Sequence, residues 1–471
     1  MHSEPQFWRN RSPGNLDLLL DEVYRSPVGP NVEGAVHAAK DWARMPLAER
    51  AALLCRARQT LELEREDLAL GITVETGKPL EEARSEVTAL LVSFQEIGAD
   101  AECLLTSESV ANGAHTGWIR RRPRGVAAVI TPYTDPLALG HSAILTHLLT
   151  GNTVILKPSP LAAGIAATYF KRVASVLPSG VLSLVQGAAQ TSLELCTHPQ
   201  VRSVCFSGSA GAGRHLSQLL AGDLGKELTL HLGGKNTALI CADADIPRAA
   251  KAVAEGICLT AGQRCSATSR VLVDERIVTP FLEQLRKSLS SFQPSDPTDE
   301  VCRLGPLIGP RAIERYNRAI SPAEGGDWIL PGSALESVGG LRGHFVQPAL
   351  FHYRRRTQNE APPLLHEEVM APVAVVQSFS TLDEAIVSTN ATAFGLTCSI
   401  FTRSEAQFWR LADEVQTGNI YANMATTSAP GSLPHCAWGD SGNRRPSGRG
   451  FFRFTSAEQS VQIARQSLEP T

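Results

Sequence analysis

Four short β-branched runs set the tightest limit on how this 471-residue chain can fold: VAAVI at 126–130, TVIL at 153–156, VLSLVQ at 181–186 and VRSVCF at 201–206. The last three lead into helical segments that begin near Ala162, Thr191 and Ala210. Parallel strands need a crossover between them, so strand followed by helix, repeated, predicts a parallel sheet with helices on its faces. A second alternating block follows LTLHLGGKN, with a helix at 247–257, a strand at 270–274, a helix at 277–290, and then PVAVVQSF, DEAIVSTN and TCSIFT. Residues 33–103 carry apolar side chains at three- and four-residue spacing and read as helical. Glycine- and proline-rich stretches at 291–345 and 425–450 read as long loops. Two α/β lobes result, and clefts between such lobes commonly hold ligands.

Composition narrows the function. Hydrophobic residues at 43% and charged residues at 19% describe an ordinary globular protein, and a net charge of −3 gives no field that would draw nucleic acid or an anionic membrane. Basic runs at Arg120 to Arg124, Arg354 to Arg356 and Arg444 to Arg445 are short and scattered, as on solvated faces or an assembly surface. The start, MHSEPQFWRNRSPG, lacks an apolar core of signal-peptide length, and the longest uncharged stretch, Pro136 to Leu156, is interrupted by His141, His147 and Asn152. A cytoplasmic protein without a membrane span is expected. The ten cysteines form no C-x-x-C pair and no metal-ligand spacing, which predicts free thiols and no metal site.

Three stretches carry candidate chemistry. In VRSVCFSGSAGAGRHLSQLL a strand ends, glycines follow and an amphipathic helix begins, leaving backbone N–H groups free for a phosphate. The spacing, Gly208 to Gly213 with Gly211 between, departs from G-x-G-x-x-G and fits a tight turn equally well. Lys157, at the end of TVILK, can reach a ribose or phosphate at the strand edge, or serve as a surface lysine. Cys265, in TAGQRCSATSR, is either a nucleophile in polar surroundings whose thiolate is locally stabilised, or a small buried hydrophobe.

Taken in order, TPYTDP, GNTVILKPSP, FSGSAGAG, LHLGGKN, AGQRCSA and EEVMAPV resemble the aldehyde dehydrogenase superfamily. VTALLVSFQEI, TAGQRC and the tail GDSGNRRPSG are most similar to its succinylglutamate semialdehyde dehydrogenases. The resemblance runs from about Ser12 to about Ser460 and lacks the family's N-terminal hairpin. It implies an α/β aldehyde dehydrogenase fold: a Rossmann-like cofactor domain at 1–111 and 125–232, a catalytic domain at 233–430, and a β oligomerisation element with tail at 112–124 and 431–471. HTGWIRRRPRG and FFRFTSAEQSVQI match the assembly strands, which implies a homodimer or homotetramer.

The resemblance also assigns roles. It makes Cys265 the nucleophile that converts an aldehyde to a thioester, with NAD or NADP as cofactor. Gly208, Ser209, Gly211 and Gly213 fall on the pyrophosphate turn, Lys157 on the adenosine-ribose lysine, and Glu368 on the nicotinamide-ribose carboxylate. Pro160 stands where the family has a ribose-binding glutamate, which removes the argument for NAD over NADP.

Other positions depart from the pattern. Thr134 replaces the oxyanion asparagine, and His231 replaces the general-base glutamate. His231 can act as a base or pair with Cys265 as a thiolate–imidazolium couple. Asp135 and His435 stand where the family often has phenylalanines, and Cys436 and Ala437 replace its glycine pair, which suggests a polar substrate. The expectation is oxidation of a polar, amino-acid-derived aldehyde. Acyl transfer or reduction at a coenzyme A or carrier thioester, and a silent binding protein, are the alternatives.

Overall fold

The computed structural model describes residues 4–112, 115–321, 325–354, 363–429 and 432–464. It opens with an antiparallel hairpin, β1 (Phe7–Ser12) and β2 (Asn15–Tyr24), and four helices, α1 (Val28–Arg44), α2 (Leu47–Leu63), α3 (Arg65–Thr76) and α4 (Leu80–Leu104). Strands β3 (Glu108–Asn112) and β4 (His115–Pro123) follow, then the alternating block β5 (Val126–Ile130), α5 (Ala138–Thr150), β6 (Thr153–Lys157), α6 (Ala163–Ala174), β7 (Leu182–Leu184), α7 (Ala189–Thr197), β8 (Val201–Ser207), α8 (Ala210–Leu220) and β9 (Glu227–His231).

These five strands form one parallel sheet in the order β7-β6-β5-β8-β9. The progression reverses between β5 and β8, and a crevice forms outside the carboxyl ends of strands at such a reversal. Burial on both faces explains why the runs are apolar throughout. Ala127 and Val129 of β5 face the core packed by α2, α4 and α6, while Val126, Ala128 and Ile130 face the core packed by α1, α7 and α8.

The second block comprises β10 (Asn236–Ile240), α9 (Ile246–Cys258), β11 (Thr268–Asp274), α10 (Val278–Leu289), α11 (Pro310–Ala319), β12 (Gly326–Leu330), β13 (Ala334–Val338), β14 (Leu341–Val346), β15 (Ala349–Tyr353), β16 (Val373–Phe379), α12 (Leu382–Asn390), β17 (Phe394–Gly395), β18 (Thr397–Phe401), α13 (Glu405–Glu414) and β19 (Asn419–Ala422). Its seven-stranded sheet runs β12-β15-β16-β11-β10-β18-β19, parallel except at the β12 edge. The chain closes with β20 (Trp438–Gly439), α14 (Phe452–Thr455) and β21 (Ser456–Ala464), which pairs with β4 in the sheet β21-β4-β3.

Two expectations need correction. The N-terminal hairpin is present: β1 and β2 pair with bulges, and Trp8 Nε1 and Asn10 Nδ2 donate to Pro160 O at 3.2 and 2.6 Å. The stretch 291–345 is not one loop, because it contains α11, β12 and the β13–β14 hairpin. The basic runs contain paired residues: Arg121 with Glu458 (2.9 Å), Arg354 with Asp327 (2.8 Å) and Arg445 with Glu227 (2.9 Å). Arg355 and Arg356 lie outside the described residues. All ten cysteines are free thiols, and no helix among the described residues is long and apolar enough to cross a membrane.

Arg50 ties the helical layer to the first sheet. It is buried and donates from Nε and Nη2 to Leu149 O at 3.1 and 2.9 Å, and from Nη1 to the carbonyls of Trp42 and Met45. Arg50→Met keeps the stem but strands these carbonyls. It is expected to cost about 3 kcal/mol in urea denaturation, and an unchanged midpoint would refute this account of the packing.

Candidate active site

The loop after β5, the turn after β8 and the carboxyl end of β9 meet the cysteine segment around one cavity of about 350 Å³. Pro132, Tyr133 and Thr134 come from the first, Ser207, Gly208 and Ser209 from the second, and His231, Leu232 and Gly233 from the third. Cys265, Arg315, Glu368, Met370, His435 and Ser447 complete the main lining. Cys265, His231, Thr134, Gly208, Ser209, Glu368 and His435 are therefore brought together around this cavity.

Local chemistry fixes the cysteine segment. Thr260, Ala261 and Gly262 carry φ of +53, +52 and +68, a left-handed run that side chains other than glycine rarely adopt. Glu82 holds it, accepting from Thr260 N (3.0 Å), Thr260 Oγ1 (2.7 Å) and Arg264 Nη2 (3.0 Å). Beyond the bend, Asn236 Nδ2 donates to Cys265 O (2.7 Å) and Ala267 O (2.9 Å). Gly233 and Gly234 make room: a Cβ on the first would fall 2.0 Å from a Glu368 carboxylate oxygen, and on the second 2.7 Å from Cys265 O. Glu368 Oε1 in turn accepts from Gly234 N at 2.9 Å.

The tail GDSGNRRPSG folds against β9. Asn443 bonds Leu230 N and Leu228 O, Ser441 O accepts from Leu232 N at 2.7 Å, and Arg445 O meets His231 Nε2 at 3.0 Å. A carbonyl only accepts, so Nε2 carries the proton and a neutral His231 has its lone pair on Nδ1. Burial lowers the His231 pKa, partly opposed by this bond. His435 pairs through its backbone with Ser447, its Nδ1 is buried without a partner, and burial with His231 nearby lowers its pKa to about 4.

Cys265 is half-buried, and its thiol is pushed up to about 12, first by desolvation and then by Asp135 and Glu368, against the opposing pull of Arg264 and Ser266 N–H. The local stabilisation expected for the thiolate is outweighed, and the thiolate–imidazolium couple is not the resting state. Both groups rest in their neutral forms.

The remaining assignments divide. Asp135 does not line this cavity: its carboxylate is bound to Lys78 Nζ (2.6 Å), which also holds Glu86 (2.5 Å), because a buried ammonium requires compensating charge. Gly211 sits in the first turn of α8 outside the cavity, and Gly213 lets Leu232 pack, since a Cβ there would meet its methyls at 2.6 Å. Cys436 and Ala437 flank the tail, with Ala437 in the lining. Lys157 lies one strand over from β5, 3% exposed, so it is no surface lysine. Sequence reasoning missed Asn236, although LHLGGKN contains it, and missed Arg315, which lies in a stretch read as loop.

A sequence model of the aldehyde dehydrogenase family matches residues 22–461. The chain belongs to the aldehyde dehydrogenase family. It is 33% identical to an N-succinylglutamate 5-semialdehyde dehydrogenase from Salmonella paratyphi A, over 93% of this chain and 89% of that protein. It is 31% identical to the chloroplastic betaine aldehyde dehydrogenase of Beta vulgaris, over 91% and 86%. The solved NAD-dependent aldehyde dehydrogenase of Sinorhizobium meliloti superposes with a TM-score of 0.91 at 27% identity, covering 98% of this chain and 92% of that one. PnpE in complex with nicotinamide adenine dinucleotide gives 0.91 at 26%, covering 98% and 95%. This aldehyde dehydrogenase is thus an oxidoreductase of the expected α/β fold.

The raised thiol gives a direct test. In the cofactor-free protein, alkylation of Cys265 is expected to be slow at pH 7 and to rise about tenfold per pH unit up to pH 10, following the thiolate fraction. Peptide mass mapping after timed labelling measures it, and a plateau below pH 8 would contradict the burial of this sulfur.

Proposed function

We propose that this aldehyde dehydrogenase oxidises a polar, amino-acid-derived aldehyde through a thioester on Cys265, using a nicotinamide dinucleotide. The observation that carries this reading is the convergence of Cys265, Thr134, His231 and Glu368 on one cavity at the carboxyl edge of β5 and β8. The residues suit the cofactor: Gly208 and Ser209 offer a helix N-terminus to phosphate, Glu368 offers a carboxylate to ribose, and Lys157 lies at the far strand edge. When bound, the nicotinamide supplies the hydride acceptor.

The chain's own residues do the rest. The Cys265 thiol gives its proton to His231 Nδ1 as sulfur bonds to the carbonyl carbon, making that carbon tetrahedral. Thr134 makes no hydrogen bond among the described residues, so its hydroxyl is free to donate to the developing oxyanion. After the thioester forms and the first proton leaves for solvent, Nδ1 takes a proton from the attacking water and the acyl–sulfur bond breaks. His435 Nδ1 and the Ser447 hydroxyl are the polar handles for the substrate. The named activities of the Salmonella and Beta relatives favour a semialdehyde or a betaine-type aldehyde.

A panel of such aldehydes with NAD or NADP, followed by absorbance of the reduced cofactor, tests the reading. Turnover is expected with at least one aldehyde and none in Cys265→Ala. His231→Gln and Thr134→Val are each expected to lower kcat by roughly 100-fold. No reduced cofactor with any aldehyde, or Cys265→Ala equal to wild type, would overturn it.

The expected partner is a second copy of the chain. Strand β21 pairs on one side with β4, and its other edge has no strand partner among the described residues. An open edge along residues 456–463 is an invitation to pairing. Light scattering is expected to give at least twice 50.5 kDa, and a monomer at micromolar concentration would refute it.

A further inference from the structure

The carboxyl ends of β6 and β7, beyond the cavity holding Cys265, carry Lys157 and two polar groups, Gln186 and Glu4, that the proposed chemistry leaves without a task. Lys157 ends β6 almost fully buried, and its Nζ makes no hydrogen bond or short ion pair among the described residues. Gln186, just after β7, donates from Nε2 to Ala163 O (2.9 Å), while its Oε1 is buried with no partner. Glu4 arrives from the N-terminal segment. Its carboxylate accepts from Thr191 Oγ1 (2.6 Å) and from the N–H groups of Gln190 (2.5 Å), Thr191 (3.1 Å) and Ala188 (3.3 Å) at the start of α7.

The chain holds this carboxylate in place from the same turn that lost one. Pro160 occupies the third position after Lys157, and its carbonyl is the acceptor for both Trp8 Nε1 and Asn10 Nδ2 of the hairpin strand that follows Glu4. Burial lowers the Lys157 pKa to about 8, and the charge of Glu4 works in the opposite direction, so the two groups sense one another.

We propose that Glu4 supplies the negative charge that the Lys-Pro-Ser-Pro turn lacks, so that the crevice accepts an adenosine ribose with free hydroxyls and rejects one carrying a 2′-phosphate. The inference rests on the dinucleotide reading above and deepens it: Glu4 sets a preference for NAD over NADP. The local charges give the sign. Lys157 and Arg25 are the cations, and Glu4 and Glu194 the anions, with Arg25 3.7 Å from Glu4 and 3.2 Å from Glu194. Neutralising Glu4 removes one of the two anions, leaves Arg25 paired with Glu194, and leaves the Lys157 charge without an opposing carboxylate to weaken its attraction for a 2′-phosphate.

Titration of NAD and of NADP into the full-length protein, followed by tryptophan fluorescence, reads the two dissociation constants directly. Wild type is expected to favour NAD by about tenfold, and Glu4→Gln to tighten NADP by a similar factor while NAD changes little. The gain is expected to shrink as salt is raised. Glu4→Asp keeps the charge and is expected to keep the preference, and Pro160→Glu in the Glu4→Gln background is expected to restore it. Equal shifts for both dinucleotides, or none, in Glu4→Gln would overturn the role of Glu4 and leave the cofactor reading standing. Failure of wild type to bind either dinucleotide would overturn both.

Discussion

The site depends on one close approach. At Gly233 and Gly234 the backbone between the two sheets passes so near Glu368 and the Cys265 carbonyl that no side chain fits. Glycine there does not serve a turn, because neither residue has positive φ. It serves contact: Glu368 Oε1 reaches Gly234 N, and Asn236, two residues on, grips the carbonyls on both sides of Ser266. The crossing from β9 to β10 thereby ties together the Glu368 carboxylate, the Cys265 backbone and the start of the second sheet.

The parts of the fold that repeat with period two, or that alternate strand with helix, were legible in the sequence. β5, β6 and β8 are apolar because both faces are buried, and their β-branched runs announce this without any partner being known. The N-terminal hairpin was not legible. FWRNRS is mostly polar and largely exposed, and it is held by bonds to Pro160 that span 150 residues or more of sequence. The same reason hid α11 and Arg315: a helix lying in a stretch punctuated by glycine and proline looks like loop until its buried face, Ala312 and Tyr316, finds a core.

Bringing groups together did not make them ionise. A thiol and an imidazole in one cavity invite the thought of an ion pair, yet desolvation disfavours charge on either, and two carboxylates beside the sulfur oppose its ionisation further. The arrangement holds a neutral thiol near a neutral imidazole whose tautomer is set by Arg445 O. In the proposed mechanism proton transfer then accompanies attack, and the tail that carries Arg445 would act on the chemistry through the imidazole.

The polar substitutions around the cysteine do not all act in the same place. Asp135 looks like a pocket residue by position, but its charge is spent on Lys78, which lies with Glu86 under the loop after β5. Glu86 also accepts from Leu137 N and Ala138 N, so the network anchors the loop that carries Thr134 to α4. The polarity of the cavity lining therefore comes from elsewhere, including Thr134, His435 and Ser447. The backbone of His435 is paired to Ser447 and the intervening tail runs along β9, so the proposed substrate handles and the proposed base, His231, lie on two segments packed side by side. Under the proposed reading, a change of substrate is most directly made in that tail, which leaves both sheets untouched.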